Sequence, residues 1–242
     1  MSRHQKRVAA PKNWRLTRKT NKWVANSVPG PHSKETSIPL ILVVRDMLKL
    51  ADNTRETKII LNQGHILVNG KVRKDHRFPV GLFDIISIPE MGAHYRLLID
   101  EHSKLSLTRI KEEDAKTKLC RVDNKTIVKG GKTQLNMHDG RNILSEVDVR
   151  TFDSVVLRLD NNEIEGVFKR RKGSKAMVIG GKHSGELGEI DKIETIRSSR
   201  PNRVTLKKLD DGTLFETIED YIFVVGEEKV ELDLEGIQVE GA

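Results

Sequence analysis

The 242-residue sequence has little of what disulfide-bonded proteins, metal sites and membrane proteins are built from. Cys120 is the only cysteine, which excludes an internal disulfide and a cysteine-based zinc site and fits a reducing cytoplasm. The histidines are scattered without the spacing of a helical ligand pair, so we predict no metal and no cofactor. No apolar run reaches about 18 residues, and the start lacks the apolar core of a secretory signal. We therefore expect neither a membrane span nor export.

Aromatic residues make up only 4% of the chain and hydrophobic residues 36%, which favours several modest cores over one large core. Charged residues, in contrast, reach 32%, with a net charge of +8 and a pI near 9.5. Such a pI is typical of nucleic-acid-binding proteins, although a merely soluble basic protein has a similar composition. Because residues 227–242 are acidic, residues 1–226 are more basic than the net charge suggests, and this distribution favours a nucleic-acid partner.

Residues 1–36 form a basic N-terminal extension in which Glu35 is the only acidic side chain. We predict that it does not fold alone, because like charges repel and apolar periodicity is missing. It contains both tryptophans, which we expect to stack on bases or to fill pockets when the extension becomes ordered on a polyanion. The alternative is a basic targeting tail. The candidate RNA contacts here are Arg3, Lys6, Arg7, Lys12, Trp14, Arg15, Arg18, Lys19, Lys22 and Trp23.

Residues 37–92 are predicted to form a compact module of two helices and a small sheet. An apolar helix is expected over residues 38–50, and a second one begins with Thr54 as its N-cap and ends at a glycine. Asn69-Gly70 predicts a type I′ hairpin turn, and Asn69 either contacts RNA or serves only this turn. Basic and polar side chains converge on the helix and hairpin, which suits them to phosphate binding. They are Arg55, Lys58, Gln63, Lys71, Arg73 and Lys74.

Residues 93–169 carry short β-prone runs separated by turn residues, which predicts a central β domain. Cys120 is interpreted as a small buried residue. Gly130-Gly131 precedes a lysine and a threonine, as in a phosphate-binding loop, but that motif requires a further glycine where Thr126 stands. A hairpin turn is therefore the preferred interpretation.

Residues 170–226 are predicted to form a small β barrel, preceded by a basic linker and followed by the acidic tail of residues 227–242. A glycine-rich loop over residues 180–188 either shapes the barrel or approaches a ligand closely. Lys182 and His183 lie at its tip and are candidate RNA contacts, with His183 expected to be a neutral hydrogen-bonding group. The candidate contacts of the linker are Lys169, Arg170, Arg171, Lys172 and Lys175.

Three stretches resemble known RNA-binding motifs. Arg55-Glu-Thr-Lys, Gln63-Gly-His-Ile-Leu-Val-Asn-Gly-Lys and Phe83-Asp-Ile-Ile resemble the αL RNA-binding module named after bacterial ribosomal protein four. The stretch from Ala176 to Ile190 resembles a KOW motif, the signature of SH3-like barrels in ribosomal proteins and elongation factors. In this order, after a tryptophan-containing start, they resemble the archaeal and eukaryotic "e" family of small-subunit ribosomal protein four.

The fold expected from this resemblance is α+β, mostly β, and multi-domain. The resemblance implies a structural, non-enzymatic protein of the small ribosomal subunit in the cytoplasm. Its partners would be small-subunit ribosomal RNA and neighbouring ribosomal proteins, with no membrane and no small-molecule substrate. One alternative is an RNA-modifying enzyme that holds its substrate with the αL module, for which the central region is short. The other is a regulatory factor of transcription or translation, because KOW barrels also occur there.

Overall fold

A computed structural model describes residues 4–227 of the chain, and it is mostly β with few helices. Arg3 and residues 228–242 of the acidic tail lie outside the described residues. The chain divides into two compact units. Unit 1 comprises the described residues up to Leu98 together with Lys104–Lys118, and unit 2 comprises Ile99–Ser103 and the described residues from Leu119 onward.

Unit 1 contains the α-helices and the shorter strands. Its strands are β1 (Gln5–Lys6), β2 (Trp23–Val24), β3 (Ser37–Pro39), β4 (Leu67–Val68), β5 (Lys71–Val72), β6 (Pro79–Gly81), β7 (Ile85–Ile88), β8 (Ala93–Ile99) and β9 (Leu105–Ile110). Its helices are α1 (Leu40–Leu42), which continues as a π-helical segment (Val43–Met47), and α2 (Thr54–Gln63). A five-stranded sheet has the order β5-β4-β7-β8-β9, while β1 pairs with β2 and β3 with β6.

The first helix starts later than predicted, because Ile38 and Pro39 belong to a strand. In β3, Ile38 is paired with Val80 and Pro39 with Pro79 in antiparallel register. Pro39 has the extended ψ of 137°, so the helix begins only after it. The residues from Leu40 to Val44 are fully buried and form the centre of the unit 1 core.

The N-cap of α2 is Asn53, one residue before the predicted Thr54. The Asn53 side-chain oxygen accepts from the backbone N–H of Arg55 (2.9 Å) and of Glu56 (3.0 Å). The Glu56 carboxylate in turn accepts from the backbone N–H of Asp52 at 2.9 Å, which completes a reciprocal cap. The helix ends at Gly64 with a φ of 88°, as its sequence predicts.

The predicted hairpin is confirmed. Asn69 and Gly70 have φ values of 51° and 73°, and β4 pairs with β5 on either side of them. β8 and β9, which follow the predicted boundary after residue 92, continue the same sheet beyond β7. Unit 1 accordingly includes Lys104–Lys118.

Unit 2 contains two five-stranded sheets built from antiparallel strand pairs. Its strands are β10 (Thr117–Ile127, of which residues from 119 belong to this unit), β11 (Thr133–Met137), β12 (Asn142–Leu144), β13 (Ser154–Arg158), β14 (Ile164–Phe168), β15 (Lys175–Val178), β16 (Leu187–Glu194), β17 (Arg203–Lys208), β18 (Leu214–Ile218) and β19 (Ile222–Gly226). The sheet orders are β12-β11-β10-β13-β14 and β18-β17-β16-β15-β19. The closure of the second sheet into an SH3-like barrel remains a prediction.

The core of the first sheet of unit 2 bears out the interpretation of the cysteine. Cys120 is fully buried among Val122, Leu135, Val149 and Val155. Strand β10 is one long strand with an irregularity near Val122. Strands β11 and β12 are difficult to predict from sequence, because both are short and contain asparagine, which is uncommon in strands.

Candidate nucleic-acid interface

The N-terminal segment, defined as residues 4–36, is folded against the rest of unit 1, without the polyanion on which the sequence predicts it to become ordered. Its centre is Trp14, which is only 1% exposed and donates its indole N–H to the carbonyl of Ser37 at 2.7 Å. A buried indole satisfied in this way anchors the backbone around it. Of the two roles predicted for the tryptophans, Trp14 therefore fills a pocket and is not available for stacking on bases.

Two predicted RNA contacts of this segment are engaged with its own backbone. Arg7 is 8% exposed, and its Nε donates to the carbonyl of Thr17 at 2.5 Å. The guanidinium of Arg18 donates to the carbonyls of Ala10 (2.7 Å) and Pro11 (2.8 Å). These bonds satisfy carbonyls that have no sheet or helix partner, so Arg7 and Arg18 hold the segment in shape.

The other basic side chains of the segment face solvent. β1 and β2 form a short antiparallel ribbon in which Lys6 lies directly opposite Trp23. Trp23 is 48% exposed, and Nζ of Lys22 lies 5.2 Å from the centre of its ring. The exposed cations are Lys6, Lys12, Arg15, Lys19, Lys22 and Lys34. This surface keeps the positive charge and the one exposed aromatic group predicted from the sequence.

Helix α2 and the β4–β5 hairpin present the second set of predicted contacts. Arg55, Lys58, Gln63, Lys71 and Lys74 are exposed. Arg73 is less accessible, because its guanidinium lies 4.5 Å from the ring centre of Phe78. Oε1 of Gln63 accepts a 3.1 Å hydrogen bond from Nε2 of His65 on the same edge.

Asn69 serves the hairpin turn, which is one of the two roles predicted for it. Its side-chain oxygen accepts from the backbone N–H of Ile85 at 3.0 Å, and its amide nitrogen donates to Oδ1 of Asp84 at 2.8 Å. Both polar ends of the carboxamide are therefore used inside unit 1. The turn is fixed to β7 by these bonds, which orients the exposed Lys71 and Lys74 that follow it.

The loop after the hairpin adds two residues that sequence reasoning missed, His76 and Arg77. Burial lowers the pKa of His76, and the positive charges of Lys58 and Arg77 lower it further, while Asp75 acts in the opposite direction. Burial is the largest of these influences, and Lys58 and Arg77 add positive charge near the imidazole. These two residues could have been found in the sequence by extending the basic run from Lys71 to Lys74 by three residues.

In unit 2, the predicted basic linker is largely neutralised by acidic side chains. The ion pairs are Arg170–Glu219, Arg171–Glu227 at 2.6 Å, Lys172–Asp191 at 3.1 Å and Lys175–Glu189 at 2.7 Å. The backbone N–H of Arg170 also donates to Asp153 at 2.7 Å. Burial lowers the pKa of Arg170, and Asp153 opposes that shift. Lys169 and Lys182 are exposed. The linker thus presents much less uncompensated charge than its sequence suggests.

His183 is held within the glycine-rich loop. Its Nδ1 lies 3.0 Å from Oε2 of Glu186, and its ring centre lies 4.6 Å from that of Phe215. The carboxylate of Glu186 also pairs with Lys208 at 3.0 Å. His183 therefore acts as a hydrogen-bonding group that shapes the loop, in agreement with its predicted non-catalytic role.

Tyr221 explains two of the glycines in this loop and was missed from sequence. A Cβ on Gly180 would lie 2.8 Å from the ring of Tyr221, and one on Gly181 would lie 3.2 Å from it. The ring rests directly on the backbone of the loop, which only glycine permits. Shaping the loop, the first of the two roles predicted for these glycines, is therefore sufficient to explain Gly180 and Gly181.

No cluster of three or more His, Cys, Asp or Glu side chains among residues 4–227 is arranged to hold a metal ion. None of the helices within residues 4–227 is long and apolar enough to cross a membrane.

Comparison with known proteins identifies consistent relatives. The profile described as Ribosomal family S4e matches residues 91–164, and the RS4NT (NUC023) domain matches residues 1–35. The small ribosomal subunit protein eS4 of Methanocella arvoryzae is 49% identical over 93% of this chain and 94% of its own. The protein of the same name from Methanothermobacter thermautotrophicus is 46% identical, over 97% of this chain and 96% of its own.

A solved structure has the same overall fold. The crystal structure of the 30S ribosomal protein S4e from Thermoplasma acidophilum matches with a TM-score of 0.68 and 32% identity. The match covers 79% of this chain and 96% of that one.

Proposed function

Because this chain belongs to the ribosomal protein S4e family, we propose that it is a structural constituent of the small ribosomal subunit and acts by binding ribosomal RNA. Its relatives are named as ribosomal proteins over nearly their whole length, and none of those compared above is named as an enzyme. The RNA-modifying alternative is therefore not favoured. The same relatives argue against a regulatory factor that works away from the ribosome. The place of action is accordingly the ribosome in the cytoplasm.

One observation carries the assignment of the binding surface to unit 1. The exposed cations of the N-terminal segment, of α2 and of the β4–β5 hairpin belong to the same compact unit. In unit 2 the basic linker is instead paired with acidic side chains such as Glu189 and Glu219. Uncompensated charge on a rigid surface is what phosphate binding requires. We therefore propose unit 1 as the principal contact with RNA.

The finer architecture belongs to the same proposal. Helix α2, followed by the β4–β5 hairpin and β7, has the elements of an αL RNA-binding module, and the resemblance of residues 55–58 and 63–71 supports that name. β15, the glycine-rich loop and β16 have the order of a KOW motif. Lys169 and Lys182 are the exposed basic residues that we retain as RNA contacts in unit 2. Neighbouring ribosomal proteins are the other partners.

Sedimentation tests the proposal. A tagged copy of the full chain should co-sediment with the small subunit through a sucrose gradient at low salt. It should be released as salt rises, because phosphate contacts are coupled to counterion release. A chain that stays at the top of the gradient, or that follows RNA polymerase, would refute the assignment.

A further inference from the structure

An open cleft of about 570 Å³ lies in unit 1 beside the β1–β2 ribbon. Small-molecule sites usually occupy about 300–1,000 Å³, so this volume accommodates one base with its ribose. We call it the Trp23 cleft, and its lining includes His4, Trp23, Asn26, Arg45, His76 and Arg77. It lies next to the exposed cations of the N-terminal segment, which makes an RNA ligand chemically plausible.

The ribbon fixes the indole of Trp23 at the mouth of the cleft. Trp23 is paired with Lys6 across the ribbon, and the ring of His4 is centred 5.5 Å from the indole at an angle of 51°. Almost half of the Trp23 side chain remains exposed, although Trp14 a few residues earlier is buried. An aromatic face held between cationic side chains is the arrangement on which single-stranded bases stack.

Other lining residues supply charge and hydrogen-bonding groups. Arg77 lines the cleft, and the neighbouring His76 lies near the positive charges of both Arg77 and Lys58. Asn26 brings a carboxamide, which can both donate to and accept from the edge of a base. Arg45 is committed to Asp46 through two hydrogen bonds of 2.8 and 2.9 Å, so that pair adds shape rather than net charge.

From this geometry we propose that the Trp23 cleft binds one unpaired nucleotide of RNA, with its base stacked on the indole and its phosphate near Arg77. The inference rests on the proposed function, because it specifies which feature of RNA the N-terminal segment recognises. A base in a continuous double helix cannot enter the cleft, because its faces are already stacked. The cleft therefore distinguishes a loop or bulge from a regular helix.

Fluorescence of the full chain measures this binding. The probe is a single-stranded RNA of about ten nucleotides of mixed sequence, compared with the same strand annealed to its complement. The single strand should quench the emission of Trp23 while the buried Trp14 keeps its own. Trp23→Ala should weaken single-strand binding by about tenfold, measured by anisotropy of a labelled strand, while Trp23→Phe stays within about threefold of the original chain.

Controls separate stacking from loss of structure. Val8→Ala changes another exposed apolar residue of the segment, 69% exposed, and should leave both affinities unaltered. The emission of Trp14 in Trp23→Ala reports whether the segment is still folded. Duplex binding should be the same in Trp23→Ala as in the original chain, because phosphate contacts remain.

The outcomes separate this inference from the proposed function. Equal single-strand affinity in Trp23→Ala and the original chain, or an equal loss of duplex binding, would overturn the cleft proposal. So would a single strand that fails to bind although small-subunit ribosomal RNA does bind. If no RNA binds at all, the proposed function fails together with the inference.

Discussion

Nζ of Lys118 lies 2.7 Å from Oδ1 of Asp84, and both side chains are completely buried in unit 1. The other oxygen of Asp84 accepts from the backbone N–H of Gly81 at 2.8 Å and lies 3.0 Å from Nε2 of His32. Asn69 completes the set of donors. This carboxylate thus connects the N-terminal segment, the hairpin turn and the strand that leads out of the unit.

Removing the cation from this network should destabilise unit 1 strongly. We expect Lys118→Met to lower the free energy of unfolding by about 3–5 kcal/mol, because it leaves the buried Asp84 carboxylate without its main counter-charge. Urea unfolding followed by the emission of Trp14 measures the change. Lys192→Met removes an exposed lysine paired with Glu194 and should have little effect. Equal effects of the two substitutions would contradict the role given to the buried pair.

The same carboxylate should make unit 1 sensitive to acid. Burial alone would raise the pKa of Asp84, but Lys118 and His32 outweigh it and hold the pKa well below the ordinary value of 3.8. A depressed pKa contributes stability that is complete above the unfolded value and is lost as the pH falls towards the folded one. We therefore expect the unfolding free energy to decline below about pH 4.

Asp84→Asn isolates that contribution. The variant should be less stable at neutral pH, since Lys118 is then buried without an anion. It should also lose less of its remaining stability on acidification than the original chain does. Urea titrations of both chains at a series of pH values give the unfolding free energy of each as a function of pH. Parallel dependences on pH would show that Asp84 does not carry the acid sensitivity.

Trp14 should contribute to stability and Trp23 should not. Trp14→Ala removes a fully buried indole and its hydrogen bond to Ser37, so we expect a loss of about 3–5 kcal/mol. Trp23→Ala changes a side chain that is 48% exposed and should alter stability much less. Circular dichroism during urea unfolding compares the two without depending on indole emission. A small effect of Trp14→Ala would instead indicate that the N-terminal segment is not packed stably on unit 1.

The exposed lysines of the hairpin should set the salt dependence of RNA binding. Lys71→Ala with Lys74→Ala should weaken binding to small-subunit ribosomal RNA and reduce the slope of log K against log salt by about 1.5–2. Arg73 is omitted because it packs on Phe78. The matched control, Arg158→Ala with Lys192→Ala, removes two cations that are paired in unit 2. An unchanged slope in the hairpin variant would remove both lysines from the interface.

The contact between Gly180 and Tyr221 can be tested by adding one methyl group. Gly180→Ala places a Cβ 2.8 Å from the tyrosine ring, and we expect a loss of about 1–3 kcal/mol in the stability of unit 2. Gly166→Ala is the control, because its Cβ would meet Val156 at an ordinary 3.7 Å. Thermal unfolding monitored by circular dichroism compares the variants, and identical midpoints would exclude the proposed steric role.

The features predicted correctly from sequence depend on neighbouring residues. The turn at Asn69-Gly70 and the helix end at Gly64 follow from backbone preferences that a few residues determine. The burial of Cys120 likewise follows from its apolar strand. The family resemblance rested on the same kind of local motif, which is why it could be recognised without a structure.

The features that were missed depend on residues far apart in the sequence. The sequence left two roles open for Trp14, base stacking or pocket filling, because its hydrogen-bond acceptor, Ser37, lies beyond the basic run. The linker seemed free because Glu189 and Glu219, which neutralise it, follow much later in the chain. The number of basic residues in a stretch of sequence therefore overestimates its charge available for binding wherever the fold places acidic side chains against it.

The anchoring of the N-terminal segment through Trp14 and His32 affects the thermodynamics of assembly. A segment that is already folded loses little conformational freedom when RNA arrives, so more of its contact energy appears as affinity. Binding should then show a smaller negative heat-capacity change than the ordering of about thirty residues would produce. The nucleic acid, rather than the protein, would be the partner that adjusts its shape.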